Sequence, residues 1–155
     1  MQLKSEERVR SGGARKYLIL IPICLFILFL VGAVIFMIPR QKDISKSSIF
    51  SGDDISAYVK RDIERLNNGE YEALRAESSA AMQEVLKDGL MESIQKQTGD
   101  QWGAFSSFGE ITMTEVTQGG QKFAVSDIIV NYENARLTFR ITYDSDMKLS
   151  GLYVR

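Results

Sequence analysis

The side chains able to do chemistry in this 155-residue chain are few in kind: it has no histidine and a single cysteine, Cys24, inside an apolar run. Those absences exclude Ser-His and Cys-His catalysis, histidine-ligated zinc and thiol redox chemistry. Carboxylates, lysines, tyrosines and arginines remain. Asp127 borders the apolar run Ile128-Ile129-Val130. Burial there would raise its pKa into general-base range, with Tyr132 or Tyr143 as hydrogen-bond donor. The plainer reading is an edge or bulge aspartate. Arg136 and Arg140 share a period-two face with Thr138 and Thr142. Their Cα atoms would stand about 13 Å apart, a spacing at which two guanidinium groups could grip an anionic polymer or a partner's carboxylates. A solvated sheet face is the alternative. Trp102, Tyr143, Tyr132, Phe139 and Tyr153, with Phe105, Phe108 and Phe123, either line a concave mouth or build the core, and core is the commoner fate. Trp102 and Tyr143 are the aromatic binding candidates beside Arg136 and Arg140. The acids Asp53 and Asp54 read as helix caps. No pattern calls for a metal or a cofactor.

The elements that must position these groups follow an apolar stretch. Residues 17–38 hold no charge, and sixteen of them are Leu, Ile, Phe or Val. At about 1.5 Å per residue the stretch is roughly 33 Å long, enough to cross a hydrocarbon core of about 30 Å. Residues 1–16 hold five Lys/Arg and two Glu, whereas 39–155 hold fourteen Lys/Arg and eighteen Asp/Glu. The basic excess before the span predicts a cytoplasmic amino terminus. The run is long for a signal peptide, and its near match to a cleavage site, Val31-Gly32-Ala33, lies before five more apolar residues. The expectation is therefore an uncleaved single-pass anchor in the bilayer. A mildly acidic domain lacks the clustered basic surface that nucleic acid requires.

The domain organisation expected is a basic tail (1–16), a transmembrane helix (17–38), a polar linker (39–52) and an extracytoplasmic domain (53–155). Ile55, Tyr58, Val59, Ile63 and Leu66 fall on one face of a helix that ends at Asn67-Asn68-Gly69. A short turn at 71–76 leads to a longer helix from Ser79 to about Gln97, weakened at Gly89. The period then changes to two. Strands are expected near 108–117, over 122–132, where the apolar phase slips between Val125 and Ile128 and implies a bulge, over 136–143, and over 147–155 with a bulge at Gly151. This predicts an α+β domain of two to three helices packed on a curved four-stranded antiparallel sheet.

Three short features carry a resemblance: Asn68-Gly69-Glu70-Tyr71, Trp102-Gly103-Ala104-Phe105 and Gly151-Leu152-Tyr153. Over about residues 55–155 their order and spacing resemble an uncharacterised bacterial extracytoplasmic domain family with a nuclear-transport-factor-2-like or cystatin-like α+β fold. Its members often stand beside secreted or membrane-anchored hydrolase or penicillin-binding domains. The resemblance implies fold more than function, since its motifs hold no catalytic residues.

The function expected is a non-catalytic, membrane-anchored binding or accessory module that contacts a cell-envelope polymer, a small ligand or a partner protein, monomeric or weakly dimeric through its sheet. The competing expectation is a small carboxylate-tyrosine enzyme, isomerase-like, in a sheet pocket.

Overall fold

The structure is a computed structural model that describes residues 29, 32–34, 36–99 and 101–155. The tail 1–16 and most of the span expected at 17–38 lie outside them. Positions 29, 32–34, 36 and 37 are helical. Among the described residues no helix is long and apolar enough to cross a membrane.

Pro39–Arg155 is one compact unit. Its sheet has five antiparallel strands in chain order, β1 (Arg40–Asp43), β2 (Phe105–Gln118), β3 (Gln121–Tyr132), β4 (Arg136–Tyr143) and β5 (Leu149–Val154). The expected meander of four is thus joined by a fifth strand, from a stretch read as linker. Arg40–Asp43 carries no apolar alternation that would announce a strand. Its backbone pairs with residues 114–117 of β2, so a partner distant in sequence decides its conformation.

Between Pro39 and β2 stand four α-helices, one more than expected, because the helix predicted from Ser79 to about Gln97 is two. α1 is Gly52–Asn67, α2 Tyr71–Ala76, α3 Ala80–Val85 and α4 Leu90–Thr98. The break falls at 86–89, where Gly89 takes a left-handed φ of 83° and Arg75 Nη1 donates to the Leu86 carbonyl. The cap of α1 is Ser51, whose Oγ accepts from Asp54 N at 3.4 Å. Asp53 and Asp54 instead occupy the first turn, where their charge suits the helix dipole.

Ile55, Val59, Ile63 and Leu66 of α1 are buried in one core with Ile128, Phe139, Ile141 and Tyr143 of the sheet. The β2–β3 hairpin turns at Gly119 and Gly120, both at positive φ (57° and 77°), as a two-residue hairpin loop demands. No register shift interrupts the β3–β4 pairing from Ala124 to Asn131. The phase slip read in β3 is instead an alternation with small inward residues, Ala124 and Ser126, and the irregularities lie in β2, at Phe105/Ser107 and Phe108/Ile111. The bulge expected at Gly151 is present: Thr142 faces Gly151 and Tyr143 faces Leu149.

Candidate functional site

β4 presents the candidate residues on two opposite faces. Arg136 and Arg140 are exposed, while Leu137, Phe139, Ile141 and Tyr143 are buried against the helices. The β3–β4 register sets Asp127 beside Arg140. Arg140 grips it bidentately, Nε donating to Oδ1 at 2.8 Å and Nη2 to Oδ2 at 2.7 Å. The Arg140 hydrogen bonds outweigh partial burial and hold the Asp127 carboxyl below the usual aspartate range. This corrects the expectation of a raised pKa. Ile128 and Val130 point inward, while Val125 and Ile129 flank Asp127 on the outer face, where its carboxyl stays partly exposed and paired with Arg140. Tyr132 and Tyr143 belong to the covered face, on the other side of the sheet.

Those tyrosines have other partners. The Tyr132 hydroxyl donates to Asn67 Oδ1 at 2.8 Å; its pKa is pushed up to about 12, burial outweighing that hydrogen bond. The Tyr143 hydroxyl donates to Asp62 Oδ2 at 2.7 Å, and Tyr143 and Asp62 are 1% and 2% exposed. Burial first, then the adjacent Asp62 charge, pushes the Tyr143 phenol well above its ordinary range. Asp62 also accepts from Arg61 Nε at 3.0 Å, and Arg65 Nη1 lies 3.5 Å from it and 3.2 Å from Glu77. Arg61 bridges Asp62 to Glu77 and stacks over the Tyr58 ring at 4.3 Å. Two acids and two arginines thereby tie α1 to β4 and to the turn after α2. Sequence reading missed Asp62. The signal was present, since position 62 follows Val59 by three and precedes Leu66 by four, on the apolar stripe of α1.

A second buried acid was also missed. Glu115, 1% exposed, accepts from Ser47 Oγ at 2.6 Å and lies 3.1 Å from Lys42 Nζ and 3.6 Å from Lys122 Nζ. Burial would raise its pKa, but the Ser47 and Lys42 hydrogen bonds and the two lysine charges together lower it. Ser47 Oγ in turn accepts from Phe50 N at 2.9 Å. The cluster fastens β1 and the segment leading into α1 onto the sheet.

Trp102, 2% exposed, packs on Tyr132 with centroids 5.0 Å apart and edge-on to Phe139 at 6.3 Å. Of the two readings of the aromatics, core is the one that four of them take. Trp102, Tyr132, Phe139 and Tyr143 are core, whereas Tyr153 is 60% exposed and pairs with Arg140 on the open face. The motif residues have structural work. Gly69, φ 70°, follows the end of α1. Gly103, φ 73°, sits where an added Cβ would lie 2.7 Å from Glu133, and the Trp102 carbonyl accepts from Asn134 N at 2.8 Å. Among the described residues no group of three or more His, Cys, Asp or Glu side chains could hold a metal ion.

The site therefore divides into locked polar clusters on the covered side of the sheet and an open face bearing Arg136, Arg140 and Tyr153. The fold resembles the NMR structure of a protein from Ruminococcus gnavus ATCC 29149, with a TM-score of 0.62 and 22% identity over 74% of this chain and 98% of that one. That likeness is one of fold. No curated protein matches the chain. A family described as "Protein of unknown function (DUF3887)" matches residues 61–152, which takes in α1 from Arg61 onward, both motif loops and β2 to β5 through Leu152, and the chain belongs to that family.

Proposed function

We propose that Pro39–Arg155 is a non-catalytic binding or accessory module, held outside the cell membrane by the apolar stretch 17–38, that contacts an envelope polymer or a partner protein through the open face of its sheet. The observation that carries this reading is the placement of Arg136, Arg140 and Tyr153 on one uncovered surface. Thr138 and Thr142 lie between and beside the arginines on β4. Arginine and tyrosine are, with tryptophan, the side chains most enriched where proteins make energetically important contacts. Arg140 keeps donors beyond the two given to Asp127, and Arg136 has no ion pair among the described residues.

One observation favours the second reading, a small isomerase-like enzyme: a carboxylate-tyrosine contact exists, built by Asp62 rather than Asp127. Its tyrosine proton is already donated to Asp62, which also accepts from Arg61. A reacting substrate would have to displace both, and binding is therefore the preferred reading. Crosslinking on live cells followed by affinity capture of the full chain tests it. Wild type is expected to capture a reproducible component, and Arg136→Ala/Arg140→Ala to lose it. Equal capture by both forms would remove the arginines from the account, and no capture by wild type would remove the binding module itself.

A further inference from the structure

β2 runs for fourteen residues, yet β1 covers only 114–117 of it on the side away from β3. From 105 to 113 that side has no strand partner among the described residues. Ser106, Ser107, Gly109, Glu110 and Thr112 are exposed there. Alternate residues of an antiparallel strand send N–H and C=O away from their partner strand, so this stretch presents an open row of backbone donors and acceptors. Natural edges are blunted by lysines, prolines, bulges or very short length, and the two irregularities of β2, at Phe105/Ser107 and Phe108/Ile111, interrupt this row. This one is nine residues long and holds no proline and one charge, Glu110.

The occupant that fits is another copy of the same edge. The irregularity between Phe108 and Ile111 lets these residues, three apart, both pack against the core, while Ser107 and Thr112 lie opposite Asn131 and Asp127 on the other face. A two-fold axis between Gly109 and Glu110 therefore sets Phe108 across from the partner's Ile111 and Ser107 across from the partner's Thr112. Apolar meets apolar on one face and hydroxyl meets hydroxyl on the other. Glu110 faces the partner's Gly109, so the two carboxylates sit diagonally rather than opposed, which avoids the like-charge pairing that destabilises ladders. We propose that two copies of this chain associate by antiparallel pairing of β2 over residues 107–112, joining their sheets edge to edge. A ladder this short belongs with the small interfaces of weak, transient complexes, below about 1,200 Å2. The inference does not depend on what the open sheet face binds.

The register gives the test. In full-length chain lacking its native thiol (Cys24→Ala), Ser107→Cys and Thr112→Cys are made separately, with different tags, both at exposed positions that leave the core intact. Directly opposed residues on antiparallel strands bring Cβ atoms about 4.5–5.5 Å apart, within reach of a disulfide after small adjustment. Mild oxidation of the mixed variants in detergent micelles is expected to give a disulfide-linked dimer at least tenfold more abundantly than either variant alone. A Ser107→Cys chain that crosslinks to itself as well as to Thr112→Cys overturns the register, and no crosslink in the mixture overturns the pairing. Sedimentation supplies a second readout without cysteine chemistry. Ser107→Lys/Thr112→Lys opposes lysines twice across the axis and should weaken association at least tenfold relative to wild type. Identical association of the two chains contradicts the proposal.

Discussion

Along β4 the same eight residues build two surfaces with opposite rules. Toward the helices, Phe139 and Ile141 are fully buried, and each nearby acid is held by named donors: Asp62 by Tyr143 and Arg61, Glu115 by Ser47 and Lys42. Away from the helices, Arg136 has no ion pair among the described residues, and the Arg140–Asp127 pair is half in water. The difference is one of solvation. A carboxylate inside is costly unless its hydrogen bonds are supplied by the protein, so Asp62 and Glu115 become structural locks. An outer pair has water as an alternative partner, contributes little to stability, and can be given over to recognition.

The largest effect belongs to a charge placed on the inner face. Phe139→Asp should abolish cooperative unfolding, since loss of a buried phenylalanine alone costs about 3–5 kcal/mol and the carboxylate has no partner there. A thermal melt followed by circular dichroism that stayed near the wild-type midpoint would contradict the assignment of faces. Next in size is Tyr143→Phe. It takes one donor from buried Asp62 and should cost about 1–3 kcal/mol in denaturant unfolding, whereas Tyr153→Phe on the open face should change nothing measurable.

Acidification probes the other lock. The folded pKa of Glu115 lies below its ordinary value of 4.5. Its stabilising contribution is therefore complete above about pH 4.5 and is lost as pH falls through the lower folded value. The stability gap between wild type and Glu115→Gln should narrow below that pH, measured by urea midpoints. A gap that widened on acidification would reverse the sign of the shift. The smallest effect belongs to the outer pair: Arg140→Ala should cost no more than about 1 kcal/mol, because the Arg140 side chain is half in water.

How legible each surface was follows from the same physics. The alternation of Arg136 to Tyr143 announces both faces of β4, and the stripe from Ile55 to Leu66 announces α1, because burial on one side repeats at the period of the element. Gly151 marked its bulge correctly. Asp127 was misread because its cross-strand partner is distant in sequence: Ile128 and Val130 point to the other face, Ile129 shares its own, and Arg140 opposite it on β4 decides its charge. β1 had no period to read, since its four residues are held by pairing with β2 and by the Lys42–Glu115 contact. Glu115 itself gave no warning between Thr114 and Val116. The break at 86–89 was signalled by Gly89, which looked like a weakness within one helix and is the left-handed start of the next.

Position-resolved photocrosslinking in living cells is the most direct test of the proposed contact between the open sheet face and a partner. A photoreactive side chain would be placed at Thr138 or Tyr153 on that face, and at Lys60 or Glu64, exposed on α1 on the far side of the core. Adducts are expected from Thr138 and Tyr153 that vanish with Arg136→Ala/Arg140→Ala, and none from α1. Adducts from Lys60 and Glu64 with none from the sheet would contradict it.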